Sequence, residues 1–328
     1  MILILASGLR MVKSAVGARR PSPRARAVLS TTLLLTSLLT ACASPSSEPA
    51  GRPLIVATTT IVGDIVSHVV GDAARVEVLM PVGVDAHEFT ASSRQAADMA
   101  QADLIVSNGL GLEEGLTDVI DAAVADGVPL LEVGPLADPI PFSAHNGGSD
   151  AGTGPDPHFW MDPIRVGRAA LGLADSLGER FPDVDWQTRA SAYSSAMDAA
   201  NARVEEILTP VAEPDRKMVT NHEAFGYFAD RYGFRIVGAV IPGGSTLAAP
   251  SAADLADLVA KMTEEDTRVI FAETTQPTAL AEAVASELGE PVSVVLLYTE
   301  SLGEPGTDAE DLAGMLETNA TRIAEALK

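Results

Sequence analysis

The stretch MVTNHEAFGYFADRYGF, residues 218–234, runs straight into RIVGAVIPGGSTLAAPSAADLADL, residues 235–258, and the two follow a plan. A short β-branched run ends in polar residues and an amphipathic run follows. A second β-branched run then ends in Pro-Gly, and a serine opens a further helix carrying Ala-Ala-Asp. Short apolar runs alternating with longer ones at helical spacing are the mark of βαβ units and a parallel sheet, hence an α/β fold. The same plan stands earlier, in VATTTIVGDIVSHVVGD (56–72) followed by VEVLMPVGVDAHEFTASSRQAADM (76–99). A duplicated α/β unit implies two similar lobes with a cleft between them. Ligands of such sheets bind beyond the carboxyl ends of the strands, so functional groups belong in the loops that follow strands.

Outward from these copies, the first block predicts strands at 54–59, 76–80, 104–107 and 129–133, with helices at 61–70, 91–101 (opened by Ser92 or Ser93) and 112–125. Residues 137–157 then break the pattern with Gly, Pro, Asp and Ser, a length that in a compact domain signals function or mobility. Helices at 163–180 and from Trp186 to about Leu208 come next; the second has no internal Gly or Pro and would span about 34 Å at 1.5 Å per residue. The alternation resumes at Met218, with strands at 218–220, 236–240, 269–272 and 292–297, and ends in a helix at 308–327. The expected organisation is an N-terminal α/β lobe over 53–184, a connecting helix over 185–212 and a C-terminal α/β lobe over 213–328.

The first 41 residues contain six basic side chains and no acid, and the apolar run Ala27–Ala41 ends in Leu39-Thr40-Ala41-Cys42. A basic segment followed by an apolar one reads as a signal peptide over 1–41. The run falls short of the ~20 residues that cross a bilayer as a helix. Small residues before a cysteine resemble a bacterial lipobox, which implies lipidation of Cys42 and a flexible tether over 42–52; Met11 is an alternative start. Cys42 is the only cysteine, so the mature domain must be held by its core or a ligand, without disulfides. The net charge of −23 over 328 residues argues against a nucleic-acid partner, which needs clustered Lys and Arg. A hydrophobic fraction of 47% beside 20% charge excludes a disordered chain. No GxxxxGK[ST] loop occurs, so this chain would not hydrolyse a nucleotide itself.

Three of the five histidines fall in loops after strands: His87 in PVGVDAHEF, His158 in GPDPHFWMDP and His222 in VTNHEAF. A neutral imidazole is the commonest ligand of a divalent transition ion, and three imidazoles meeting at one point need a cation to organise them. Neither HExxH nor CxxC occurs, so the ligands would have to arrive from distant loops. His68 reads as a filler on a helix. His145, with Asp150 and Asp156, reads as part of a surface loop.

The motifs PVGVDAHEF, DPHFWMDP, NHEAFGYFADRYGF, IPGGSTLAAPSAADL and FAE near Glu273 resemble the zinc and manganese solute-binding lipoproteins of ABC importers, over nearly the whole span 53–328. DPHFWMDP, IPGGSTLAAPSAADL and FAE are most similar to its zinc-specific branch. The resemblance implies two similar Rossmann-like lobes with parallel sheets joined by one long rigid helix, and one metal ion in the cleft. It assigns His87 and His158 from the first lobe, and His222 and a late carboxylate from the second. Where the family usually has Asp after the final strand, this chain reads VVLLYTESLGEPG, which makes Glu300 the fourth ligand, with Glu273 in reserve and Asp308 behind it. Glu273 is expected to support the cleft without touching the ion.

Three nitrogens and one carboxylate oxygen suit tetrahedral Zn²⁺, as does the Irving–Williams order. The expected function is an extracytoplasmic, lipid-anchored monomer that captures one Zn²⁺ and delivers it to an ABC permease and its ATPase, with no enzymatic activity of its own. The alternatives are the same role for Mn²⁺ or Fe²⁺, a secreted zinc-dependent hydrolase, which would need an open fourth position and a general base, and an adhesin or structural surface lipoprotein with incidental metal.

Overall fold

Leu54–Ala57 (β1) is buried on both faces, as the inner strand of a parallel sheet covered by helices must be. The structure is a computed structural model and describes residues 51–142 and 154–328; the leader, Cys42, His145 and Asp150 lie outside them. β1 pairs with β2 (Arg75–Val78) on one side and β3 (Leu104–Ser107) on the other, and β3 pairs with β4 (Leu130–Glu132), all parallel. The second lobe is built from β5 (Lys217–Thr220), β6 (Arg235–Ala239), β7 (Val269–Glu273) and β8 (Ser293–Leu297), again all parallel. The strand orders, β2-β1-β3-β4 and β6-β5-β7-β8, are the same layout used twice. The duplication read from the sequence is therefore a duplication of topology.

The helices are α1 (Thr60–Val70), α2 (Ser93–Met99), α3 (Thr117–Ala125), α4 (Pro163–Arg180), α5 (Gln187–Leu208), α6 (Gly226–Tyr232), α7 (Ala252–Glu264), α8 (Ala279–Glu287) and α9 (Leu312–Ala326). The repeat extends to helix capping. Ser92 caps α2 in a reciprocal box with Gln95, and Ser251 caps α7 in one with Asp254, each pair satisfying two otherwise unpartnered backbone donors. α3 begins later than the apolar pattern suggested, at Thr117, because Gly111 has φ +84° and Glu114–Leu116 form a 3-10 turn. α9 likewise starts at Leu312, where Asp311 accepts the N–H of Gly314 and sets the first turn.

α5 packs against α1, α4 and α9. Tyr193 on α5 donates its hydroxyl to Asp64 of α1 at 2.5 Å. Arg203 on α5 bonds Glu317 of α9 at 2.6 Å. Gly167 of α4 is pressed against Ser194 of α5, where a Cβ would stand 2.7 Å from the hydroxyl oxygen. One apolar core runs from Ile55, Ile65 and Ile105 through Leu173 and Met197 to Met218, Phe271, Leu297 and Leu316. A smaller core, containing Val219, Val237, Leu258, Ile270 and Val284, fills the space beneath α7 and α8. No helix among the described residues is long and apolar enough to cross a membrane.

Candidate metal centre

The candidate residues stand at or beyond the carboxyl ends of strands, and the same device fixes two of their loops. The residues 85–87 and 156–158 both read Asp-X-His. In each, the aspartate Oδ1 accepts the backbone N–H of the histidine two residues on, at 2.9 Å for Asp85 to His87 and 2.9 Å for Asp156 to His158. The segment before His158 is closed by an antiparallel bridge between Pro141 and Pro155 and by the Asp156 N–H donating to Ile140 O at 2.8 Å. His222 follows β5 by two residues, Glu273 is the last residue of β7, and Glu300 follows β8 by three.

The fold brings His87, His158, His222 and Glu300 together, with one donor atom of each within 4.8 Å of all the others. His158 Nε2 lies 3.2 Å from His222 Nε2, and Glu300 Oε1 lies 3.4 Å from the former and 3.5 Å from the latter. A tetrahedral ion with arms of about 2.0–2.1 Å holds neighbouring donor atoms about 3.3–3.4 Å apart. The three edges among His158, His222 and Glu300 match that figure, and His87 stands within 4.8 Å of the same donors. All four side chains are at most 2% exposed. Both ring nitrogens of His87 and both oxygens of Glu300 are buried without a hydrogen-bond partner. Buried polar atoms are ordinarily satisfied, and a cation at the common centre would satisfy one nitrogen of His87 and the Glu300 carboxylate.

Behind this cluster stands a layer of carboxylates. His158 Nδ1 is 2.7 Å from Asp156 Oδ1, and His222 Nδ1 is 2.5 Å from Glu273 Oε1, whose other oxygen accepts the Thr299 hydroxyl at 2.9 Å. His87 Nδ1 faces Glu114 at 3.4 Å. A carboxylate at Nδ1 fixes the tautomer that turns the Nε2 lone pair toward the centre. Burial disfavours the charged form of His158, but Asp156 and Glu300 outweigh it and raise its pKa to about 9. For His222, Glu273 and Glu300 overcome burial in the same way and raise it well above the usual imidazole value. For His87, burial wins and holds it neutral to lower pH. Burial alone would raise the Glu300 carboxyl, but the imidazoles of His158 and His222 at 3.4 and 3.5 Å keep it well below the usual range.

Glu273 stands behind His222 and is not one of the four central donors; Asp308 is exposed on its loop. Asp156, read from sequence as part of a polar surface loop, is 2% exposed and serves His158. His68 is half exposed and stacks on Tyr193 with ring centroids 4.5 Å apart, remote from the cluster. The aromatic residues Phe159, Trp160 and Phe225 are buried, and Trp160 donates its ring N–H to Thr299 O at 2.9 Å. Sequence reasoning missed Glu114 and the separate roles of the two Asp-X-His aspartates; the recurrence of that tripeptide before two of the three histidines was the available signal.

The family model described as zinc-uptake complex component A, periplasmic, matches residues 55–326. The chain belongs to that family. Its members are extracytoplasmic solute-binding components of metal ABC importers, a zinc and manganese group, and this chain is one of them. The zinc-binding protein TroA of Treponema pallidum (strain Nichols) is 29% identical over 300 residues, 90% of this chain and 95% of its own length. A solved structure of periplasmic zinc binding protein TroA superposes with a TM-score of 0.75, covering 84% of this chain and 99% of that one. The manganese-binding lipoprotein MntA of Bacillus subtilis (strain 168) is 28% identical over 318 residues, 92% of this chain and 99% of its own. The iron-binding protein YfeA of Yersinia pestis is 29% identical over 302 residues, 88% and 92%. Family membership therefore fixes a metal-binding solute-binding protein and leaves the metal to be argued from the donor set.

Proposed function

We propose that His87, His158, His222 and Glu300 bind a single Zn²⁺, and that the protein, anchored through lipid on Cys42, hands the ion to the permease of an ABC importer driven by a separate ATPase. The observation that carries the metal assignment is the buried triangle of His158, His222 and Glu300 donor atoms, with edges of 3.2, 3.4 and 3.5 Å, which His87 joins from within 4.8 Å. Three nitrogen donors favour Zn²⁺ over Mn²⁺ or Fe²⁺. Glu300 supplies the fourth corner, which a hydrolytic zinc site would leave to water. The likeness to zinc-binding TroA supports the same reading. The domain division proposed is 53–184, 185–212 and 213–328, with α5 as the connector and the protein acting as a monomer.

One specific observation favours a second reading. Both Glu300 oxygens are unpartnered, so the carboxylate can present two donors, and Mn²⁺ accepts the higher oxygen count. Elemental analysis of protein purified without added metal, followed by competitive Zn²⁺ and Mn²⁺ titration of the parent and His222→Ala, decides between them. Near-stoichiometric zinc that is lost in His222→Ala is the expected result. Manganese that outcompetes zinc in the parent overturns the zinc assignment, and metal bound equally in the variant overturns the site.

A further inference from the structure

Asp85 stands two residues before His87, is 4% exposed, and gathers four donors. Its Oδ1 accepts the N–H of His87 at 2.9 Å, the N–H of Glu88 at 3.3 Å and the hydroxyl of Thr246 at 3.0 Å. Its Oδ2 accepts from Gln276 Nε2 at 2.8 Å. The two backbone donors belong to its own loop in the first lobe. Thr246 and Gln276 belong to the second, on the loops after β6 and β7.

The other Asp-X-His segment shows what is particular here. Asp156 places Oδ1 on both the N–H and the Nδ1 of its own histidine. Asp85 makes the same backbone turn but gives its remaining capacity to the opposite lobe, and His87 Nδ1 is left facing Glu114. The loop that carries Thr246 is fitted to the first lobe at a second point. At Gly244 a Cβ would lie 1.9 Å from the Phe142 ring, and Phe142 in turn edges onto His158 with centroids 6.3 Å apart.

We infer that Asp85 is a positioning residue that ties the seating of His87 to the approach of the two lobes, and so slows release of the bound ion. The inference rests on His87 being a metal ligand, as proposed above. Hydrogen bonds to an ionised, water-poor acceptor are stronger than neutral ones. They also fail over short distances, since a donor beyond about 3.5 Å no longer counts as bonded. A small separation of the lobes therefore removes two of the four donors at once, and the turn that holds the His87 backbone is left to one lobe alone. The device acts on the exit step. Entry of the ion precedes closure and does not need the two cross-lobe bonds.

The test is stopped-flow zinc association, and zinc release into excess chelator, on the full mature chain. It compares the parent with Thr246→Val/Gln276→Leu, Asp85→Ala and Asp85→Asn. The double variant is expected to release zinc about tenfold faster, equivalent to about 1.4 kcal/mol, with association unchanged within about twofold. Asp85→Ala is expected to release at least as fast. Asp85→Asn, which keeps an acceptor for the two backbone amides and Thr246, falls between it and the parent. Adding Asp85→Ala to the double variant is expected to add little, because the substitutions share one set of bonds.

A double variant with the parent's release rate overturns the inference, as does slowed association with unchanged release, or full additivity. Far-UV circular dichroism of metal-free protein checks folding; should Asp85→Ala fail to fold, the double variant and Asp85→Asn still decide. A parent that takes up no transition metal overturns the proposed function itself. That result differs from a parent that binds while its variants release at the same rate.

Discussion

His158 and His222 sit at zero exposure between carboxylates that want them charged and a centre that wants their lone pairs. In the metal-free protein His158, with its pKa raised to about 9, holds a proton at neutral pH. Metal can enter only by displacing it. Calorimetry in two buffers of different ionisation enthalpy is expected to show proton release on zinc loading at pH 7.5; heats independent of the buffer would refute this. The sign for stability runs the other way. A folded pKa above the ordinary 6.5 means that the contribution of His158 to the metal-free fold is complete below about pH 6.5 and is lost as pH rises through about 9. Zinc affinity should rise over that same window as protons stop competing. Glu273→Gln, which weakens the partner of His222 without touching the central donors, is expected to lower zinc affinity by about 10- to 100-fold, read by competitive titration. Full loss of binding in that variant would place Glu273 on the ion.

The elements that carry these residues were legible to different depths. The strands β3 and β7 and the helices α4 and α5 stood out because apolar periodicity and Pro or Asp at a helix start are local signals. Asp162, for instance, caps α4 by accepting the Ile164 N–H. His87, His158 and His222 were legible as loop residues after strands, and Glu300 through the family resemblance, which implies a carboxylate after the final strand. The carboxylates behind them were not. Whether Asp156 points to solvent or to an imidazole depends on the bridge between Pro141 and Pro155, a contact that composition does not announce. The start of α3 was missed because the buried Glu113 accepts from Thr58, Asn108 and Gly109 and holds its segment in a turn where the apolar pattern predicts helix. At this scale the contact between α4 and α5 is the most exacting. Gly167→Val should force the two apart at Ser194 and cost about 1–3 kcal/mol, measured by chemical denaturation of metal-free protein. A variant as stable as the parent would show that α5 yields.

The molecule as a whole has no disulfide to fall back on, and a ligand that binds only the native form adds to its stability. Zinc at a hundredfold excess over its Kd is expected to contribute about 2.7 kcal/mol, so EDTA should lower the melting temperature. Coincident transitions with and without chelator would count against the site. α5 touches helices of both lobes, so closure should be a matter of loops and small shifts. Comparable radii of gyration for metal-free and zinc-loaded protein in solution scattering are expected, and a difference of several ångströms would contradict it.

The larger apolar core passes through α5 and takes in residues of both lobes. Although the chain repeats its topology, neither half is a self-sufficient body. Severed near residue 185, each fragment would present to water the inner side of its own sheet or of the helices that cover it. The fragments would clump or bind each other before either could hold an ion.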